Sequence, residues 1–363
     1  MKIVLATGIY PPDIGGPATY VKQLAEELRQ SGNEVGVVTY VNRLQVTGYR
    51  EDDVVRVNKG LPIIRWFQYA KALRKIGKDA DVIYAFSSVS CGIPVKLARL
   101  KKPKKILRLG GDFFWERYTA LGGGLGLGEW YGKRSKVFGC RLSVVGWILK
   151  NFDHVVFSTE FQKNLYEEYF KKLPKHSVIE NAVPEGNPEI HVKREPFSLL
   201  FMGRLVGFKN LKSLVEAVKQ MANVRLTLVG DGPKKKELMK LAGSAGTRIM
   251  FVSPVHGEEK IKVFAGHDLM VIPSITEISP NVALEARANG LPVLLTEETG
   301  LSPAISEAMV LRKLVTPSDI INAIKEVQEN YSDIADATSS SIAKRGWKEV
   351  AEEHMKLFNA CAL

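Results

Sequence analysis

Cysteine is scarce. The 363 residues hold three, Cys91, Cys140 and Cys361, far apart and with no CxxC pair. That spacing excludes a disulfide framework, and with only six scattered histidines it argues against a zinc site. Both absences fit a reducing compartment. No stretch of about 18 apolar residues exists, so nothing in the sequence reads as a membrane span. The opening run Ile3–Ala6 is too short for a secretory core and reads as a buried strand. Low-complexity tracts and repeats of fixed period are also lacking, which argues against a solenoid.

What is present is ordinary globular material, 45% apolar and 25% charged, in a length suited to about two domains. The net charge of +12 is unevenly spread. Residues 1–190 hold 29 Lys/Arg against 19 Asp/Glu, residues 191–363 hold 22 against 20, and 63–152 alone hold 18 against 5. A basic face on one half suits an anionic partner: a membrane surface, a phosphate-bearing substrate or nucleic acid. The plainer alternative is a solvated lysine-rich surface.

Apolar strand-like runs alternate with helical patterns throughout. In the first half they are Lys2–Ala6, Glu34–Thr39, Val82–Phe86, Lys105–Leu109 and His154–Ser158; Ala18–Ser31 between the first two has helical spacing and ends at Gly32-Asn33. Residues 186–196 are polar and proline-containing and read as a linker. A second series follows: Ser198–Met202, Arg225–Val229, Ile249–Val252, Leu269–Pro273 and Pro292–Thr296. The pattern predicts an α/β fold of two doubly wound, Rossmann-like domains, 1–190 and 191–340, with ligands at the carboxyl ends of the strands in a shared cleft. Residues 341–363 read as a C-terminal helix, for which a return to the first domain is one option. The segment 110–150 breaks the alternation. It mixes Phe113, Phe114, Trp115, Trp130, Tyr131 and Trp147 with Gly122–Gly124, Gly126 and Gly128, and with Lys133, Arg134, Lys136 and Arg141. It suits either a lid at a lipid surface or an irregular active-site loop with its own small core.

Four motifs carry chemistry. The loop Gly8–Pro17 joins strand to helix, and Gly15 and Gly16 let backbone approach a ligand at the helix N-terminus; it is not GxGxxG, so it is not the dinucleotide fingerprint. Gly203-Arg204-Leu205-Val206-Gly207-Phe208-Lys209-Asn210 leaves the first strand of the second domain. Its planar Arg204 fork and compact Lys209 charge are what a diphosphate needs. Gly230-Asp231-Gly232-Pro233 is a tight turn with room for a base or ribose. Finally, Leu269–Pro273 runs into Ser274–Glu277 and Ile278-Ser279-Pro280-Asn281, then a helix holding Glu285. Amides near Ile278–Asn281, with Ser279 and Asn281 among them, face an anion at the helix start, while Glu277 and Glu285 can accept from sugar hydroxyls.

Taken together, GIYPPDIGGPATYVKQLAEEL, FMGRLVGFKN, LVGDGP and PSITEISPNVALEARANGLPVLLT resemble, in order and spacing, the family-4 retaining glycosyltransferases of the GT-B fold. The resemblance covers nearly the whole chain. It implies a donor-sugar role for Glu277, a ribose role for Glu285, diphosphate neutralisation by Arg204 and Lys209, and close approach of phosphate or acceptor at Gly16. It implies no metal and no cofactor beyond the nucleotide-sugar donor. Three departures stand out. Glu277-Ile278-Ser279-Pro280 replaces Glu-Gly-Phe-Gly, and Pro280 has no amide to donate. Thr299-Gly300 replaces the usual Gly-Gly. Where many members carry a histidine, this chain reads Leu109-Gly110-Gly111-Asp112, so Asp112 is either an acceptor-orienting carboxylate or a loop anchor.

The leading expectation is transfer of a sugar from a nucleoside diphosphate to a cell-surface glycan or lipid-linked acceptor, by a cytoplasmic protein attached peripherally to the inner face of the plasma membrane through its basic half. A sugar-nucleotide epimerase or hydrolase on the same fold would need an acid/base set poised for proton abstraction, and the cleft candidates lack a histidine motif. A non-catalytic basic binding protein is the third reading. No RNA-binding motif is present, so no nucleic-acid partner is expected.

Overall fold

Parallel strands covered on both faces need apolar side chains on both, and the strand runs of this sequence meet that need. The computed structural model describes residues 1–13, 15–42, 53–134, 139–186, 188–243, 248–340 and 345–362. The chain divides into two compact units. One comprises residues 1–114, 130–182 and 346–363; the other comprises 115–129 and 183–345.

The first unit holds strands β1 (Lys2–Ala6), β2 (Glu34–Val41), β3 (Val54–Asn58), β4 (Val82–Ala85), β5 (Lys104–Leu109), β6 (His154–Phe157) and β7 (Lys175–Val178). They form a parallel sheet in the order 3-2-1-4-5-6-7. Alternate residues Ile3 and Leu5 of β1 meet Val21, Leu24 and Leu28 of helix α1 (Gly16–Gln30) in one core. Helix α2 (Pro62–Gly77) packs on β1, β2 and β3 and buries Tyr69, Ala70 and Leu73. It also contacts α3 (Gly92–Ala98). Helices α4 (Phe113–Ala120) and α5 (Leu127–Arg134) each have residues in both units, and α6 (Gly139–Leu149) and α7 (Glu160–Tyr169) belong to the first.

The C-terminal helix, α14 (Trp347–Ala362), belongs to this first core. It contributes Val350, Ala351 and Phe358 and lies along α1. A buried polar cluster ties it down. His354 Nδ1 donates to the Val350 carbonyl at 2.6 Å, which leaves Nε2 to accept from the Tyr84 hydroxyl at 3.0 Å and, more weakly, from Tyr20 at 3.4 Å. Arg108, 4% exposed, donates to the Ile179 carbonyl and to Asn181 Oδ1 and lies over the Tyr20 ring.

In the second unit β8 (Phe197–Met202), β9 (Val224–Val229), β10 (Ile249–Val252), β11 (Leu269–Ile272), β12 (Val293–Thr296) and β13 (Val310–Arg312) form a parallel sheet in the order 10-9-8-11-12-13. Period-2 alternation splits its side chains between two cores. Phe197, Leu199 and Phe201 face α8 (Leu211–Lys219), α9 (Lys235–Ala242), α12 (Pro317–Glu329) and α13 (Tyr331–Ser340). Leu200 and Met202 face α10 (Gly257–Ala265) and α11 (Asn281–Ala288). The two-domain Rossmann-like architecture read from the sequence is the observed one.

Acid should probe β6. His154, bonded through Nε2 to Ser177 Oγ at 2.9 Å, has its pKa pushed down to about 4, first by burial and then by the positive charges of His176 and Lys175. The unfolded chain takes up this proton near pH 6.5 and the fold refuses it, so stability is complete above that value and falls as pH drops toward 4. His154→Gln should reduce this acid loss by on the order of 1 kcal/mol after solvent screening. Urea midpoints measured at pH 7 and 4.5 test it; equal losses in both proteins would contradict the assignment.

Candidate active site

Strand order reverses at β8 in the second unit, so the loops after β8 and β11 diverge at the carboxyl edge of the sheet, where ligands of such sheets sit. The loop after β8 is held by backbone bonds to its neighbour: Gly203 N donates to the Val229 carbonyl at 3.0 Å and Leu205 N to the Asp231 carbonyl at 2.9 Å. A single 3₁₀ turn, Gly207–Lys209, ends at Asn210 in the left-handed region (φ 52°). The Asn210 amide then donates to the carbonyls of Leu314 and Val315, which fixes where Lys209 points. The loop after β11 joins this one through Ile275 N, which donates to the Phe208 carbonyl at 2.8 Å.

Lys209 and Glu277 meet in an ion pair with side chains only 15% and 7% exposed. Glu277 also accepts from Ser274 Oγ at 2.5 Å. Its backbone is clamped on both sides, its amide donating to the Glu298 carbonyl and its carbonyl accepting from Gly300 N. The carboxylate is therefore fixed in a mostly dry place beside a cation. A lysine ammonium has three protons to donate, so Lys209 can hold Glu277 and still serve an anion.

Arg204 stands apart from that pair. Its guanidinium is 61% exposed and lies 3.5 Å from Glu116, a solvent-screened contact that an anionic ligand can displace at little cost. Glu285, on α11, is paired with Lys260 of α10 at the edge of the same unit, both about one-quarter exposed. The sequence places Glu277 and Glu285 eight residues apart; in the fold each takes a different lysine. Ser279 and Asn281 flank Pro280, which caps the α11 N-terminus and is half of the departure noted above.

The turn Gly230–Pro233 is less open than its sequence suggests. Gly230 (φ 147°) and Gly232 (φ 157°) lie so close to the backbone of Gly203 and Leu205 that a Cβ at either would collide with it. They serve the close packing of one loop on the next, and Asp231, which is exposed, accepts from Gly232 N at 2.7 Å.

A surprise is what buttresses these loops. Residues 115–129 pack into the second unit although their chain neighbours on both sides belong to the first. Leu127 N donates to Thr276 Oγ1 at 2.9 Å, and that hydroxyl donates to Glu298 Oε1 at 2.9 Å. Gly128 N reaches the same carboxylate at 3.3 Å, and a Cβ at Gly126 would strike it. Trp115, 2% exposed, lies 5.4 Å from the Phe208 ring and donates Nε1–H to the Leu125 carbonyl. Trp130 and Tyr131 are also buried. Of the two readings of 110–150, the loop with a small core of its own describes these three aromatics. Phe113 (44%) and Trp147 (49%) remain exposed. Lys136 and the side chains of Arg134 and Arg141 lie outside the described residues.

The remaining candidates belong to the first unit. Gly15 and Gly16 stand at the start of α1, with Gly16 exposed; Ile14 of the same loop lies outside the described residues. Asp112 is 2% exposed, and its Oδ2 accepts from the hydroxyls of Tyr131 (2.6 Å) and Tyr166 (3.0 Å). Burial, then the negative charge of Asp112, raises both phenols well above their ordinary pKa, which keeps them protonated donors. These contacts suit the loop-anchor alternative for Asp112. Among the described residues no group of three His, Cys, Asp or Glu side chains could hold a metal ion.

Two family models match the chain: Glycosyltransferase Family 4 over residues 14–186 and Glycosyl transferases group 1 over residues 196–331. The chain is a group 1 glycosyltransferase of the GT-B fold. An uncharacterized glycosyltransferase of Methanocaldococcus jannaschii is 26% identical over 99% of this chain and 98% of the relative. The alpha-monoglucosyldiacylglycerol synthase of Streptococcus pneumoniae is 24% identical over 94% of this chain and 81% of its own length. Among solved structures, the Anabaena HepE complex with UDP-glucose superposes with a TM-score of 0.75 at 16% identity, over 99% of this chain and 100% of that one.

Sequence reasoning about this glycosyltransferase missed Lys260, Ser274, Glu298 and Glu116. Ser274 lies inside the quoted PSITE motif and could have been named as a second-residue donor to Glu277. Lys260 sits among Glu258, Glu259 and Lys262 on an ordinary charged helix and carries no signal. Glu116 and Glu298 are far from their partners in sequence, and only the glycine at 126 marks a close approach.

Proposed function

We propose that this glycosyltransferase moves a sugar from a nucleoside diphosphate, with retention and without a metal, to a lipid-linked or cell-surface glycan acceptor at the inner face of the plasma membrane. The observation that carries the reading is the pairing of Lys209 with Glu277 at the point where strand order reverses, with Arg204 on the same loop. Lys209 and Arg204 would neutralise the diphosphate as its charge develops, which is the work a divalent ion does elsewhere. The sugar–phosphate C–O bond breaks and the acceptor oxygen bonds the anomeric carbon on the face the diphosphate leaves. The acceptor's proton passes to a diphosphate oxygen. Glu277 would contact the donor sugar. Glu285, with Lys260 beside it, would hold the ribose diol, the carboxylate accepting from one hydroxyl and the ammonium donating to its oxygen. Gly16 and the α1 N-terminus would face phosphate or acceptor.

The similar structure that holds UDP-glucose makes UDP the first base to try, and the diacylglycerol-linked product named for the pneumococcal relative favours a lipid acceptor. A thermal-shift panel of UDP-, GDP-, ADP- and dTDP-sugars tests the donor, because a ligand bound only by the folded chain raises the melting point with its affinity. No shift with any of the four would remove the reading. For the preferred nucleoside diphosphate, Glu285→Ala should weaken binding by about tenfold, roughly 1.4 kcal/mol. Glu277→Ala should change free-nucleotide affinity far less and act on turnover. Equal effects on affinity, read by calorimetry, would count against this division of roles.

A further inference from the structure

The most exposed apolar ridge among the described residues lies on α2, in the first unit. Leu61, Ile63, Ile64 and Phe67 are 71%, 65%, 53% and 59% exposed. The same helix turns its opposite side, Tyr69, Ala70, Leu73 and Gly77, into the core. At helical spacing the outward stripe continues from Ile63 and Phe67 to Lys71, Arg74, Lys75 and Lys78. It is thus apolar over its first two turns and cationic over its last two. Residues 54–78 hold seven Lys/Arg and no Asp or Glu. Soluble surfaces scatter large apolar side chains singly; four within seven residues, beside an unbroken cationic run, need a partner.

The surroundings extend the pattern. An open groove of about 580 Å³ runs between β3 and α2, lined by Arg56, Asn58, Lys71, Arg74 and Lys75 among others, and a smaller one lies by Lys59, Leu61 and Ile64. Beyond α2, helix α3 packs against it and in turn touches α6. There Lys96 of α3 lies 3.1 Å over the ring of the half-exposed Trp147. Amphipathic surface with apolar side chains flanked by lysine, arginine and tryptophan is the composition that settles at the boundary of headgroups and acyl chains.

We propose that the α2 face is a membrane-docking surface for an anionic bilayer: Ile63, Ile64 and Phe67 enter the acyl boundary and Lys71 and Lys75 meet lipid phosphates, while Arg74 holds the carbonyls of Leu97 and Ala98 at the end of α3. The inference deepens the reading that the acceptor is membrane-borne and rests on it for its purpose, though not for its test. It moves the centre of the attachment from the 110–150 segment, where Trp115, Trp130 and Tyr131 are core, to residues 61–78, with Trp147 at its margin.

The test uses the full chain with vesicles of phosphatidylcholine alone and with 30% phosphatidylglycerol, an amount chosen to be roughly that of an anionic leaflet. Wild type should cosediment with the anionic vesicles at least tenfold better than with neutral ones, and less at high salt. I63E/I64E/F67E should lose that binding at all salt concentrations, while K71E/K75E should lose it mainly for anionic vesicles. These side chains are exposed, so both variants should keep the melting point and the nucleotide response of wild type. Wild type that ignores anionic vesicles, or a triple variant that binds them unchanged, overturns the proposal. So does wild type that runs as a dimer which the triple variant converts to monomer without loss of vesicle binding, since the face would then join two copies of the chain. Failure of all nucleotide-sugars to bind would strike the transfer reading and leave the vesicle result standing, so the two failures are distinguishable.

Discussion

Replacing Lys209 by alanine should lower the rate of sugar transfer by about 10²–10³-fold, on the order of 3–4 kcal/mol of transition-state stabilisation. Two costs combine in that variant. The diphosphate loses a fixed cation at the moment its charge grows, and Glu277, 6% exposed, loses its buried cationic partner. Breaking a buried pair from one side strands the other charge, so the single substitution cannot by itself separate catalysis from folding. Adding Glu277→Gln removes the stranded charge. If Lys209 acts on the donor, the double variant should regain melting temperature yet turn over well below Glu277→Gln alone, because Glu277 itself contacts the donor sugar. Equal turnover in Glu277→Gln and in the double variant would show that Lys209 serves only to neutralise Glu277. Arg204→Ala, acting at a more exposed and screened position, should cost less than Lys209→Ala under the same assay.

Phe358→Ala should destabilise the protein by about 3–5 kcal/mol, the usual cost of emptying a fully buried phenyl site. Phe358 is 0% exposed and meets the Tyr84 ring at 5.3 Å in an edge-on contact, one turn from His354 and its tyrosine bonds. Denaturant melts of the full chain measure it. A loss under about 1 kcal/mol would mean that α14 adds little to the first core. The nucleotide response should persist at temperatures below the lowered transition, because the candidate donor residues lie in the other unit.

The central strands were legible because burial on both faces leaves an uninterrupted apolar run, as in Ile3–Ala6 or Leu269–Ile272. The strands that escaped reading, β3, β7 and β13, all sit at sheet edges. An edge strand is covered less, so VVRVN, KHSV and VLR mix polar with apolar residues and carry no clear period. The positions of the candidate residues Arg204, Lys209 and Glu277 were also legible, since each lies in a loop that follows a strand, β8 or β11. Their partners were not. Which lysine takes Glu285, or which backbone amide takes Thr276 across 149 positions, depends on tertiary approach and leaves no local pattern. In the aromatic and basic segment 110–150, Trp115, Trp130 and Tyr131 are interior while Phe113 and Trp147 are exposed, a division its composition does not reveal. The amphipathic stripe on α2, shorter and flanked by plain sequence, was passed over.

Because α14 completes the core that begins with β1, the N-terminal half cannot acquire its full set of interior contacts while the chain is still being synthesised. Its strands must wait for residues 346–362, which emerge after the whole of the second unit, with Tyr84 and Tyr20 meanwhile lacking their His354 partner. Long-range closure of this sort slows folding and leaves apolar surface open to wrong encounters. A ribosome-bound fragment ending before residue 346 should therefore be protease-sensitive in its first 180 residues, whereas the second unit, whose pieces are all in place by residue 345, should already resist digestion.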